Sequence, residues 1–178
     1  QTVNWFSSYL TSRSQLVEVN GTQSEFMEIT CGVPQGSILG PLLFNIYVND
    51  MSTSVRCKLL LYADDSALIV SHVDKAIVEQ TLSENLESLS KWLVDNKLSL
   101  HLGKTESILF ASRRKLKKHS SLNITCNGIN ITSKSEVKYL GVLIDQHLSG
   151  DPMIQKTIKK ANSRLKYLYR QGYLLNQN

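Results

Sequence analysis

Residues 58–70, KLLLYADDSALIV, set two short apolar runs on either side of adjacent carboxylates. Leu59, Leu60 and Leu61 lead in, and Ala67, Leu68, Ile69 and Val70 follow. Runs of that length around a polar centre read as two buried strands closed by a tight turn. Asp64 and Asp65 repel each other there, and charge is costly beside a core. A divalent cation is the simplest compensator, because Mg²⁺ sites use one or two carboxylates plus substrate phosphates. Taken by itself, the tetrapeptide YADD fits a solvated Asp-Asp turn equally well.

A second motif, GVPQGSILGP, occupies residues 32–41. Gly32, Gly36 and Gly40 permit backbone conformations and close approaches that other residues forbid. Pro34 and Pro41 fix the chain direction. The following LLFNIYVNDM, residues 42–51, is apolar almost all round. That pattern predicts a buried helix with Pro41 in its first turn. A Gly/Pro loop feeding a buried helix suits a backbone that passes close to a ligand, and it also suits an ordinary strand-to-helix turn.

Elsewhere the patterning predicts an α+β chain. Residues 4–12 read as a helix end, and 16–19 and 26–31 as strands joined around Gly21. Residues 75–95 form the clearest amphipathic helix, with Val78, Leu82, Leu86, Leu89 and Leu93 on one stripe and Asp74 as N-cap. Leu98, Leu100 and Leu102 alternate with polar residues as a half-buried strand. Asn127-Gly128 marks a hairpin between 122–125 and 129–132. Residues 137–144 read as the last strand and 151–175 as mostly helix. In that helix Lys156, Lys159, Lys160 and Arg164 form a basic face, opposite a stripe of Ile154, Ile158, Ala161, Leu165 and Leu168. A second basic run, Arg113, Arg114, Lys115, Lys117 and Lys118, ends at His119. It reads equally as a solvated loop or as a phosphate-attracting patch.

The formal net charge of +5 over 178 residues is concentrated in those two clusters. Three cysteines without CxxC spacing predict reduced thiols in an intracellular protein, nuclear or cytoplasmic and not secreted. No run approaches the ~20 apolar residues of a membrane-spanning helix. Four scattered histidines, none beside a cysteine pair, argue against zinc.

Together GVPQGSILGPLLFNIYVND and LLLYADDSAL resemble the reverse transcriptase family, particularly the non-LTR retrotransposon and group II intron-like enzymes. NKLSLHLGKTESILF (96–110), VKYLGVLID (137–145) and NWFSSYLTSRSQLVEVNG (4–21) are similar to further segments of that family, so the resemblance covers nearly the whole chain. It implies a right-hand polymerase palm, an antiparallel sheet with helices on one face, over residues 1–148. Residues 149–178 would begin a helical thumb. It implies two-metal nucleotidyl transfer from dNTPs to the 3′ hydroxyl of a DNA primer on an RNA template, with two Mg²⁺ ions, or Mn²⁺ in their place.

The same resemblance implies that Asp64 is the main metal ligand and Asp65 the secondary one. It sets Tyr62 and Ala63 beside the primer end, Gln35 and Gly36 against template and nucleotide, and Lys104 toward the leaving pyrophosphate. Tyr139, Leu140, Gly141 and Val142 would clamp the primer, and Lys156, Lys159, Lys160 and Arg164 would contact the backbone. The family's first aspartate, in an AFDxV-like strand, does not occur in residues 1–32. The chain is therefore expected to be a later palm piece that lacks the upstream fingers and palm segment and is inactive alone. The alternative is a noncatalytic RNA-binding relic or maturase-like module.

Overall fold

The computed structural model describes residues 1–118 and 121–175, so His119 lies outside the described residues. The chain separates into two compact units, residues 1–50 and 51–178.

In the first unit, helix α1 (Thr2–Leu10) precedes strands β1 (Arg13–Gln15), β2 (Glu18–Val19), β3 (Thr22–Gln23) and β4 (Met27–Ile29). β1 pairs with β4 and β2 with β3, so one long antiparallel hairpin is interrupted halfway. Asn20 and Gly21, both at positive φ (52° and 78°), turn it. Helix α2 (Gly40–Tyr47) carries Pro41 in its first turn, as expected. Its burial is not as expected. Leu42 and Ile46 are 54% and 64% exposed, and Gly40 and Val48 are the buried residues among positions 1–50. A helix apolar on every side needs cover on every side, and strands of two or three residues present little apolar surface to supply it.

The second unit begins with the antiparallel pair β5 (Lys58–Tyr62) and β6 (Asp65–Ile69), followed by α3 (Lys75–Asp95). The Asp74 side chain caps α3 by accepting from the Ala76 N–H at 2.9 Å. After α3 come β7 (Glu106–Ile108), α4 (Arg113–Lys118), β8 (Thr125–Cys126), β9 (Ile129–Asn130), β10 (Thr132–Lys134), β11 (Glu136–Tyr139), β12 (Val142–Asp145) and α5 (Asp151–Leu175). The core forms where the stripe of α3, Val78 and Leu86, meets Leu122, Ile124, Cys126 and Ile131, with Leu68, Val70 and Leu82 packed around it. Side-chain and backbone bonds fasten that seam: Glu79 accepts from the Asn123 N–H and Ser83 Oγ from the Thr125 N–H.

The architecture is α+β, but the single antiparallel sheet expected from sequence is replaced by separate two-stranded ladders. Every pair among the described residues is antiparallel except β7 with β10, which run parallel. Most ladders close locally, through two-residue turns, and strands of two to five residues leave few bonds for a third neighbour.

The strand expected at 98–102 is unpaired chain followed by a 3-10 turn at Leu102–Lys104. Its entry is fixed by the end of α3. The Leu98 N–H reaches the Leu93 carbonyl at 2.7 Å and the Lys97 N–H reaches that of Val94 at 3.0 Å, with Lys97 at φ 56°. That is a Schellman end with lysine where glycine is usual. No helix among the described residues is long and apolar enough to cross a membrane.

Candidate functional site

The β5–β6 register pairs Tyr62 with Asp65, leaving Ala63 and Asp64 as a two-residue loop. Ala63 sits at φ 51°. The other two-residue hairpin loops each place a glycine at the second position: Asn20-Gly21, Asn127-Gly128 and Leu140-Gly141. The YADD turn carries a carboxylate there instead, while Ala63 shares the left-handed region with Asn20, Asn127 and Leu140 of those loops, at a strain of roughly 1–3 kcal/mol.

Cross-strand pairing sets the faces. Leu59 lies opposite Leu68 on the face that meets α3, and Tyr62 lies opposite Asp65 on the other face. Tyr62, Ala63, Asp64 and Asp65 are all exposed. Neither carboxylate forms an ion pair with a described residue. The two runs expected as buried strands are only partly so: Leu59, Ala67, Leu68 and Val70 are half-buried, whereas Leu60, Leu61 and Ile69 are exposed. A two-stranded ladder has one face to pack on α3, and the other stays open.

What aims this hairpin is Asn85, a residue the sequence reading passed over. It is 5% exposed on the inner face of α3. Its Oδ1 accepts from the backbone N–H groups of Arg56 (2.6 Å) and Cys57 (3.2 Å), just before β5, and its Nδ2 donates to the Thr81 carbonyl. The available signal was an amide beside Leu86, between the apolar stripe positions of a helix. Buried polar groups are hydrogen-bonded, so such an amide implies a backbone partner.

The glycine motif lies in the first unit. Gly32 and Gly36 adopt φ of 78° and 81°. A Cβ on Gly40 would meet Ser37 Oγ at 3.1 Å and the Pro34 carbonyl at 3.2 Å. Ser37 Oγ donates to that carbonyl and accepts from the Gly40 N–H, which locks the loop onto the start of α2. Arg13 Nε donates to the Leu10 carbonyl at 3.0 Å, while its guanidinium also reaches the carbonyls of Cys31 and Gly32 at the mouth of the motif. Gln35 and Gly36 are exposed.

The YLGV segment is a hairpin, as the family resemblance of VKYLGVLID implies, and not the single strand that the patterning of 137–144 suggests. Tyr139 pairs with Val142 around Leu140 (φ 46°) and Gly141 (φ 84°). Its end is fixed by Asp145, 7% exposed, whose carboxylate accepts from the N–H groups of His147 and Gly150 and from Ser149 Oγ. Burial pushes this carboxyl up, but the hydrogen bonds from Gly150, His147 and Ser149 outweigh it and hold the pKa at about 2. Asp145 thus welds the hairpin to the start of α5. Burial raises the thiols of Cys57 and Cys126, favouring their neutral forms.

Lys104 is exposed at the end of its 3-10 turn, and no hydrogen bond or ion pair links it to Asp64 or Asp65. Lys156, Lys159, Lys160 and Arg164 are exposed along α5, as are Ile154, Ile158, Leu165 and Leu168 of the stripe expected to pack. Among the described residues no three His, Cys, Asp or Glu side chains converge as a metal cluster. Two carboxylates at the YADD turn could supply at most part of a cation's oxygen shell.

The family model described as reverse transcriptase (RNA-dependent DNA polymerase) matches residues 1–144. The RNA-directed DNA polymerase from mobile element jockey of Drosophila melanogaster is 29% identical over 80% of this chain and 16% of its own length. The probable RNA-directed DNA polymerase from transposon BS of the same fly is 31% identical over 96% of this chain and 19% of its own length. The jockey polymerase of Drosophila funebris is 32% identical over 80% and 16% respectively. The chain therefore spans less than a fifth of these curated relatives. No solved structure matches it significantly.

Proposed function

This chain belongs to the reverse transcriptase (RNA-dependent DNA polymerase) family, and from that premise we propose that it is the part of a non-LTR retrotransposon polymerase that presents the metal-binding turn. The observation that carries the proposal is the two-residue YADD loop, with adjacent exposed carboxylates that no described cation neutralises.

In this reading Asp64 is the principal ligand and Asp65, on the strand, the second. A divalent cation held there, Mg²⁺ or Mn²⁺, supplies charge stabilisation to the transferring phosphoryl group. Asn85 and the Leu68–α3 packing hold the turn in place, which matters because positioning is most of phosphoryl-transfer catalysis. Tyr62 and Ala63 flank the primer end. Gln35 and Gly36 lie against template and nucleotide, where the absence of a side chain on Gly36 lets a ligand approach. Tyr139 to Val142 clamp the primer, Lys104 faces the pyrophosphate, and the basic side of α5 follows the nucleic-acid backbone. Residues 1–148 act as palm and 149–178 as the beginning of the thumb. RNA template, DNA primer and dNTPs are the substrates, and the rest of the parent polyprotein supplies the fingers. The unbridged Cys31, Cys57 and Cys126 suit a reducing intracellular compartment.

The test is Asp64→Asn in the full-length polymerase. Primer extension should fall at least ~100-fold, the loss expected when several kcal/mol of transition-state stabilisation disappear, with template affinity nearly unchanged. The 178-residue chain, with two carboxylates at the turn, should extend no primer. Near-normal extension by Asp64→Asn would reject the assignment, and RNA binding without extension by the unsubstituted full-length protein would favour the noncatalytic RNA-binding alternative.

A further inference from the structure

The proposed polymerase site makes no use of α4, and that helix is electrostatically unfavourable as it stands. Arg113, Arg114, Lys115, Lys117 and Lys118 are all exposed, whereas Leu116 between them is only 5% exposed. At about 100° per residue, Arg114 and Lys118 point directly away from the buried Leu116, with Lys115 and Lys117 on the flanks. Two like-charge pairs at i,i+4 spacing, Arg113 with Lys117 and Arg114 with Lys118, oppose the helix. The positive end of its dipole, which Arg113 and Arg114 occupy, opposes it too, whereas the negative end favours Lys117 and Lys118, so the like-charge crowding is the larger cost.

Nothing nearby in sequence offsets this. Residues 107–135 contain no Asp or Glu, and none of the five cations forms an ion pair among the described residues. Glu79, which holds Asn123 on the seam that follows, is already paired with Lys75 at 3.0 Å. A solvated charge run usually interleaves both signs. Here a buried leucine fixes a single-sign cluster on a helical turn, in a conformation that local electrostatics resist.

We infer that α4 is a second nucleic-acid backbone-binding surface, independent of α5 and of the YADD turn. Its ligand is the phosphate backbone of an RNA duplex or RNA–DNA hybrid, bound without sequence reading. Closely spaced phosphates neutralise closely spaced cations and release condensed counterions on doing so. The helical form, with Leu116 buried, favours this partner over an acidic receptor that takes a basic peptide in extended form.

Fluorescence anisotropy of the 178-residue chain with a labelled RNA–DNA hybrid of about 20 base pairs, titrated from about 50 to about 200 mM salt, tests it. Arg114→Gln with Lys118→Gln should lower the slope of log affinity against log salt by about 1.8, at roughly 0.9 per lost phosphate contact. The helix content should not fall, because one repulsive pair is gone. Neutralising Lys156, Lys159, Lys160 and Arg164 on α5 should lower the slope by a separate, additive amount, and exposed Ser88→Ala on α3 should leave it unchanged.

An unchanged slope in the folded Arg114→Gln/Lys118→Gln protein would overturn the inference. So would unchanged hybrid binding together with lost binding to a nuclear-import receptor bearing an acidic groove, which would assign the run to a protein partner. A slope that fell to the same value for the α4 and α5 variants, alone and combined, would show one shared surface and would also overturn it.

Discussion

Replacing Asn85 with alanine removes the bonds that tie the start of β5 to α3. Two backbone donors, Arg56 and Cys57, lose their acceptor, and the Thr81 carbonyl loses a donor. Each lost bond to a buried or part-buried group costs about 1–1.5 kcal/mol. The carbonyl of Thr81 keeps its place in the helix, so two such terms count, roughly 2–3 kcal/mol. Alanine is the better helix former by roughly 0.6 kcal/mol, which offsets part of the loss. The expected net destabilisation is about 1.5–2.5 kcal/mol. Urea unfolding followed by far-UV circular dichroism measures it, with exposed Ser88→Ala as a control that should move stability by less than ~0.5 kcal/mol. Amide exchange should also quicken at Cys57 and along β5 before the α3 core is affected, because the hairpin is held by this tie and one packed face. A change under ~0.5 kcal/mol, or unaltered exchange in β5, would refute the view that Asn85 aims the YADD turn.

Leu86, 7% exposed within the core cluster, should cost about 2–5 kcal/mol on truncation to alanine; a loss below ~0.5 kcal/mol in the same urea experiment would show that the α3 seam is not the core. Asp145 should make stability acid-sensitive: its folded pKa of about 2 lies below the ordinary 3.8, so its contribution is whole above about pH 4 and fades as pH falls toward 2. The difference in unfolding free energy between the wild type and Asp145→Asn should therefore shrink across that window, and a difference that does not vary with pH would contradict the assignment.

The elements legible in the sequence were those specified within a few residues. Asn127-Gly128 turned as expected because both positions take positive φ (51° and 75°), and α3 ran from Lys75 to Asp95 because stripe and cap agreed. The YADD hairpin and its two carboxylates were equally local, as were the glycine conformations at Gly32 and Gly36. Less legible was anything that needed a distant partner. Leu98, Leu100 and Leu102 alternate like a strand, but alternation reports a half-buried face and cannot supply a neighbouring edge to bond with. The same limit hid how exposed α2, β5 and β6 are, since hydrophobicity states a demand for cover and tertiary structure decides whether it is met.

The residues that organise the candidate site were the least visible of all. Arg13, Asn85 and Asp145 act through backbone carbonyls and N–H groups, which every residue possesses, so no side-chain pattern announces their partners. Sequence alone determined which carboxylates stand at the turn and that a turn must form there. Only the tertiary structure decided what holds that turn, because a buried amide 28 residues beyond Cys57 finds its donors through folding of the chain and not through spacing along it.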